Sequence, residues 1–284
     1  MGNMTYIINN LKELQNLLLA EVSPGETLGF VPTMGALHEG HLAIIRKAKQ
    51  ENSAVVVSIY VNDRQFNNKE DYISYPRKNE EDIALLSAME VDVIYFPKKE
   101  ELFNPNFSLP FVDLMGLDQR LEGASRPGHF QGVMEVVYAL FQHVKPHKAY
   151  FGLKDFQQVA VIRKLIESTN LPIELVKQAT VRTAEGLAMS SRNFRLNPQQ
   201  KAAALVLVHT LTFLKDNYGK LPLLDLLEEG RERITKSTLT LDYLEIVDYD
   251  NLSVLSSEAP KALACVAAFC GEVRLIYNML LQTP

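Results

Sequence analysis

His38 and His41 stand three positions apart in the stretch PTMGALHEGH, Pro32 to His41, with Gly35 ahead of the pair and Gly40 inside it. A β-like run, Thr27 to Val31, leads in, and a helix-like run, Leu42 to Lys49, leads out. A helix that starts after a glycine-bearing turn presents unpaired backbone N–H groups and the positive end of its dipole, which together seat a phosphate. Imidazoles at i and i+3 lie on neighbouring parts of one helical face, so both can donate to one polyphosphate. Gly35 and Gly40 are expected to let the backbone approach that ligand closely. The chemistry this suits is attack at a nucleotide α-phosphate with pyrophosphate leaving. Such a reaction asks the protein for positioning and charge stabilisation rather than covalent work. A histidine pair alone is usually surface or core dressing, and a zinc pair would need a third ligand that the neighbouring sequence lacks. The strand, the glycines and the helix start favour the phosphate reading. The stretch is neither a Walker A loop nor GxGxxG, so a P-loop kinase or a dehydrogenase does not fit.

Four further stretches carry polar groups to strand ends or helix starts. Phe151-Gly-Leu-Lys-Asp155 follows a late strand, and open α/β sheets bind ligands outside the carboxyl ends of their strands. Lys154 is placed there to meet phosphate oxygens, and Asp155 is expected to cap the next helix, with Gln157 and Gln158 in its first turn. Gly186 to Asn193 brings Ser190, Ser191 and Arg192 in a row, either as donors to a phosphate or as an ordinary polar turn. Tyr60 to Phe66 brings Asn62 and Gln65 to the same edge, and Arg126 to Gly132 is a glycine-rich loop entering a helix. Asn79-Glu-Glu-Asp82 reads as the acidic first turn of a helix. The alternative is that Glu81 or Asp82 helps hold magnesium on a triphosphate.

The elements that must position these groups alternate between strand and helix through the first two-thirds of the chain. Strands are expected at Thr27–Pro32, Ser53–Val61, Val91–Phe96, Ala149–Phe151 and Pro172–Lys177. Helices are expected at His41–Gln50, Asn79–Met89 (amphipathic), Gly132–Val144 and Phe156–Ser168. Ser53–Val61 is a continuous β-branched run, as for a parallel strand buried on both faces. This order implies a Rossmann-like, doubly wound parallel α/β sheet. Two helices, Pro198–Tyr218 and Leu221–Ile234, then precede strands at Asp242–Val247, Ala262–Phe269 and Glu272–Met279, which suggests a smaller α+β domain. The boundary falls near Lys177, giving residues 1–177 and 178–284.

Composition narrows the partners. A net charge of −5 and a pI of about 5.8 leave no basic face for nucleic acid. Cys265 and Cys270 lie in an apolar region and read as packing within strands. Without a leader or an apolar run of about 18 residues, a soluble, cytoplasmic protein with no membrane contact is expected.

Taken together, PTMGALHEGH, SIYVN…QF, SYPR, RPGHFQGV, FGLKDFQQ and TVRTAEGLAMSSRN resemble the pantothenate synthetases, from about Thr5 to the C-terminus. That family belongs to the HxGH nucleotidyltransferases, which share their nucleotide site with class I aminoacyl-tRNA synthetases. The resemblance implies an ATP-dependent ligase that joins pantoate to β-alanine through a pantoyl adenylate, releasing pyrophosphate and AMP. It implies magnesium and a homodimer. By position it makes Met34, Gly35, Ala36, Leu37, His38, Glu39, Gly40 and His41 the nucleotide loop. Gly152, Leu153, Lys154, Asp155, Val181, Met189, Ser190, Ser191 and Arg192 complete the ATP site. His41, His38 and Lys154 become the catalytic groups. Gln65 and Gln158 bind pantoate, with Gln65 also near β-alanine, and the C-terminal domain closes over the ATP site. Two positions depart from the family pattern. Asp63 replaces a proline in the loop that presents Gln65, and Leu153 replaces the glutamate of GEKD near ATP.

Rival readings remain. A nucleotidyltransferase that keeps the nucleotidyl group on its product would need no amine site. A tRNA ligase is disfavoured by the acidic pI. A non-catalytic nucleotide-binding module would not release pyrophosphate.

Overall fold

The computed structural model describes residues 4–282. Six parallel strands form one sheet: β1 (Tyr6–Ile8), β2 (Leu28–Thr33), β3 (Ala54–Ile59), β4 (Val93–Tyr95), β5 (Lys148–Gly152) and β6 (Glu174–Gln178), in the order β1-β4-β3-β2-β5-β6. β3 is buried at every position, which its Val-rich run requires of a strand covered on both faces. The chain lays β3 and β4 on one side of β2 and β5 and β6 on the other. Winding therefore reverses between β2 and β5, and a crevice opens at their carboxyl ends, where open α/β sheets bind ligands.

Beyond β6 come the helices Pro198–Asn217 and Leu223–Thr235 and an antiparallel sheet of β7 (Thr240–Asp248), β8 (Lys261–Cys270) and β9 (Val273–Gln282). One face of this sheet packs on those helices through Val266, Ala268 and Leu275. Val247, Leu263 and Cys265 join the core of the parallel-sheet layer instead. Cys265 and Cys270 are buried free thiols. The doubly wound parallel sheet and the smaller α+β unit are thus both present.

Several expectations shift. The helix after β2 runs Glu39–Glu51, starting two residues earlier than expected because His38 caps it. The helix after the Arg126 loop begins at His129 rather than Gly132. Asn79–Ala88 is not amphipathic: it buries only Asp82 and Leu86, and the buried carboxylate serves the β2 loop. β1 and the helix Leu11–Glu21 were not expected. A three-residue edge strand is too short to show a period.

Candidate active site

The loop after β2 is held from beneath. Thr33 Oγ1 donates to the Ser58 carbonyl at 2.8 Å and accepts from the Gly35 N–H at 3.2 Å. Asp82, 1% exposed, accepts from the backbone N–H of Ala36 and of Leu37, each at 2.8 Å, one to each carboxylate oxygen. Burial raises the Asp82 carboxyl above its ordinary range although both donors pull it down. Gly35 has φ +75, and a Cβ there would stand 2.9 Å from Asp82 Oδ2. A Cβ on Gly40 would stand 2.8 Å from the His38 ring. Both glycines therefore make room for the loop's own braces, Asp82 and His38.

The histidines are not two points on a helical face. His38 lies outside the helix as its N-cap, and its Nδ1 accepts from the Gly40 N–H at 3.1 Å. Its proton therefore sits on Nε2. His41 stacks on it, ring centroids 4.1 Å apart and planes 30° from parallel. Burial and the Lys154 ammonium push His38 down to about 4. Burial and His38 push His41 down to about 3. Both are neutral at pH 7, so they donate without carrying charge.

Charge comes from across the crevice. Lys154 lies in the turn after β5 and is largely covered. Its side chain is 17% exposed, and Nζ is 3.4 Å from Asp155 Oδ1. Asp155 precedes the next helix but makes no side-chain cap, contrary to expectation. Loss of solvent raises its carboxyl, and Lys154 and Arg192 outweigh this to hold it below the usual range. Asn278 of β9 donates to the carbonyls of Leu153 and Lys154 at 2.9 and 2.8 Å, tying the small sheet to this turn. The Leu153 side chain packs against the main core. Ser190 accepts from the Arg192 N–H, Ser191 Oγ lies 3.4 Å from the Tyr75 hydroxyl, and Arg192 pairs with Asp71 at 3.3 Å. Val181 accepts from the Met189 N–H at 2.9 Å, which closes the hairpin that presents the serines.

Gln65 is aimed by its neighbours. It ends the 3-10 turn Asp63–Gln65, where Asp63 pairs with Lys99 at 2.5 Å. Its Oε1 accepts from Asn62 Nδ2 at 3.2 Å, and its Nε2 points at Met34 Sδ, 3.1 Å away. A Cβ on Gly132 would run into the Arg64 carbonyl, so the helix start and this turn can touch only at a glycine.

One cavity of about 220 Å³ is lined by Met34, His38, Gly40, His41, Gln65, Gly152, Lys154, Asp155, Gln158, Val181, Met189, Ser190, Ser191 and Arg192. The expected site residues therefore meet from four separate parts of the chain: Met34–His41, Gln65, Gly152–Gln158 and Val181–Arg192. Gly35, Ala36 and Leu37 lie behind that surface, Glu39 pairs with Arg46 at 2.9 Å outside it, and Leu153 turns into the core. Tyr75, Arg126 and His129 also line the cavity. The loop from Arg126 to Gly132 was singled out in the sequence without a role for either side chain, and Tyr75 was marked only by the SYPR stretch, because local spacing does not show which loop residues face a cavity. Gln157, expected near the site, is buried elsewhere and bonds the Glu122 N–H and the Leu117 and Arg120 carbonyls. Glu81 and Asp82 do not make a metal site: Asp82 has both oxygens on backbone N–H groups, and Glu81 is exposed and paired with Lys78. Among the described residues no cluster of three histidine, cysteine or carboxylate side chains could hold a metal.

A parallel sheet with a capped helix at its switch point, two neutral imidazoles and an opposing cationic rim defines a nucleotide-dependent α/β enzyme of the phosphate-activating kind. Comparison with known proteins narrows the class. The family model for pantoate–β-alanine ligase matches residues 6–280. The pantothenate synthetases of Fervidobacterium nodosum and Thermotoga petrophila are 40% and 42% identical, each over 97% of this chain and 99% of their own. The crystal structure of pantothenate synthetase from Thermus thermophilus superposes with a TM-score of 0.89 at 40% identity, covering 96% of this chain and 98% of that one. A Francisella tularensis pantoate–β-alanine ligase, solved with β-γ ATP and β-alanine, gives 0.81 at 33% identity, covering 98% of both chains. The chain belongs to the pantoate–β-alanine ligase family and is an ATP-dependent ligase. Among the described residues no helix is long and apolar enough to cross a membrane.

Proposed function

We propose that the chain makes pantothenate in two steps at this cavity. In the first, a pantoate carboxylate oxygen attacks the α-phosphorus of ATP, forming pantoyl adenylate as the bond to pyrophosphate breaks. In the second, the neutral β-alanine amine bonds to the acyl carbon, the bond to AMP breaks, and one amine proton leaves to solvent while the amide keeps the other. The observation that carries this reading is the meeting of the stacked neutral histidines, Lys154 and two glutamine amides in one cavity at the β2–β5 switch point. The ligand pair in the Francisella relative agrees with it.

His41 and His38 donate N–H groups as charge builds on the phosphates, and Lys154 supplies the positive charge that neutral rings cannot. The loop Met34–His41, the turn Gly152–Asp155, Val181 and Met189–Arg192 surround the nucleotide. Gln65 and Gln158 hold pantoate. An amide orients a hydroxy acid without drawing electron density from the carboxylate that must attack. Residues 1–177 carry nucleotide and pantoate, and residues 178–284 close over ATP through the Asn278 contacts and the serine hairpin. Magnesium enters on the ATP phosphates as part of the substrate, since among the described residues Glu81 and Asp82 are spent on Lys78 and the loop N–H groups and no cluster of three metal-ligating side chains is found. By the same resemblance the enzyme works as a cytoplasmic homodimer.

The test is pantoate-dependent exchange of pyrophosphate into ATP without β-alanine. Exchange in the absence of the amine is expected. A strict requirement for it would sink the free adenylate, and AMP released without any amine would favour a rival chemistry.

A further inference from the structure

Three cationic side chains, Lys154, Arg192 and Arg126, line the cavity. Two of them have carboxylate partners, Lys154 with Asp155 at 3.4 Å and Arg192 with Asp71 at 3.3 Å. Arg126 has none within hydrogen-bond distance among the described residues. Its nearest carboxylate oxygen, Glu122 Oε2, is 4.0 Å away and already accepts from Arg274 at 2.7 Å. The other Glu122 oxygen accepts from Arg274 at 2.8 Å and from the Tyr243 hydroxyl at 2.9 Å.

What holds Arg126 is neutral. The Gln65 carbonyl accepts from His129 Nδ1 at 2.8 Å, which leaves Nε2 to accept from Arg126 Nη1 at 3.2 Å. Arg126 Nη2 donates to the same Gln65 carbonyl at 3.3 Å. Burial and Arg126 keep His129 down at about 4, so it stays an acceptor. The guanidinium, 21% exposed, is thus tethered to the backbone of Gln65, and the one carboxylate near it, Glu122 at 4.0 Å, is already engaged by Arg274. Burial and Arg192 push its own pKa down to about 10, and the more distant Glu122 offsets this only in part.

We propose that Arg126 binds the carboxylate of the second substrate and so selects an amino acid over a plain amine. This rests on the ligase reading above and names the group that reads β-alanine. Two methylenes separate its amine from its carboxylate, so the cation that reads it must stand close to the pantoyl acyl carbon. The tether to Gln65 places Arg126 there. A guanidinium also fits a carboxylate in a fixed two-pronged geometry. Pairing with it neutralises the charge that otherwise stabilises the substrate's own ammonium. With Lys154 and Arg192 nearby, the amine then loses its proton more readily, which attack requires.

The experiment compares wild type, Arg126→Ala and Arg126→Lys with β-alanine and β-alaninamide, alongside pantoate-dependent ATP–pyrophosphate exchange. For Arg126→Ala the KM for β-alanine should rise roughly 10–150-fold, the range of one charged hydrogen-bond pair. Exchange should change less than about threefold, and the preference for β-alanine over its amide should collapse, because only the second substrate has lost a contact. Arg126→Lys, a point charge without the fork, should recover part of that preference. An unchanged preference would overturn the proposal. So would exchange falling in step with ligation in both variants, since Arg126 would then serve the phosphates or the fold. Wild type without exchange would overturn the free-adenylate mechanism on which this proposal rests.

Discussion

The loop Met34–His41 and the turn Ser191–Arg195 meet at one cavity, yet they are held by different forces. The loop is braced by buried hydrogen bonds: Asp82 on two backbone N–H groups, Thr33 on a third, His38 on a fourth. The turn is held by partly exposed ion pairs, Arg192 and Arg195 on Asp71 at 3.3 and 3.2 Å, and by the long Ser191–Tyr75 contact. Buried N–H groups that lose a charged acceptor have no water to turn to, whereas exposed ion pairs are replaced by solvent at little cost. One side of the site is therefore preset, and the other can yield when a ligand arrives.

The sharpest way to test the preset side is to remove what it presents. His41→Ala should lower the exchange rate roughly 10²–10³-fold, by analogy with loss of one oxyanion donor. ATP affinity should hardly change, because the contact matters as charge develops. A near-normal rate would take His41 out of the chemistry.

Asp82→Asn attacks the brace instead. The amide keeps one acceptor but turns its own NH₂ toward a backbone N–H. A stability loss of about 2–3 kcal/mol is expected in urea unfolding, with slower exchange. A variant as stable as wild type would mean that the loop is not preset by Asp82.

The smallest effect belongs to the yielding side. Asp71, with 29% of its side chain exposed, pairs with two arginines. Asp71→Asn should cost less than about 1 kcal/mol of stability, as exposed pairs do. A loss as large as that of Asp82→Asn would erase the contrast between the two sides.

Much of the fold was legible in advance. The Val-rich run of β3 could only be a strand covered on both faces, and the later change of rhythm announced a second unit. The loop with its histidines was legible too, since a strand, a glycine turn and a helix start are neighbours in sequence. Its geometry was misread. His38 was expected on the helix and is its cap, and the glycines turn out to make room for the loop's own braces as well. Asp82 was weighed as a metal ligand or an acidic first turn and is a buried clamp reaching back 46 residues to Ala36.

By itself, then, the sequence determined the period of each element, the winding of the sheet and the residue types at strand ends. Those depend on neighbours along the chain, through backbone geometry and alternating burial. Which polar groups spend their hydrogen bonds inside the protein was decided only by the tertiary structure. Asp82, Gln157 and Glu122 look as available in sequence as Gln158 and Arg126. They differ because packing brought partners from distant segments to the first three and left Arg126 with neutral ones. A buried polar group must be satisfied by whatever the fold brings near it, and long-range pairing of that kind is not written in local spacing.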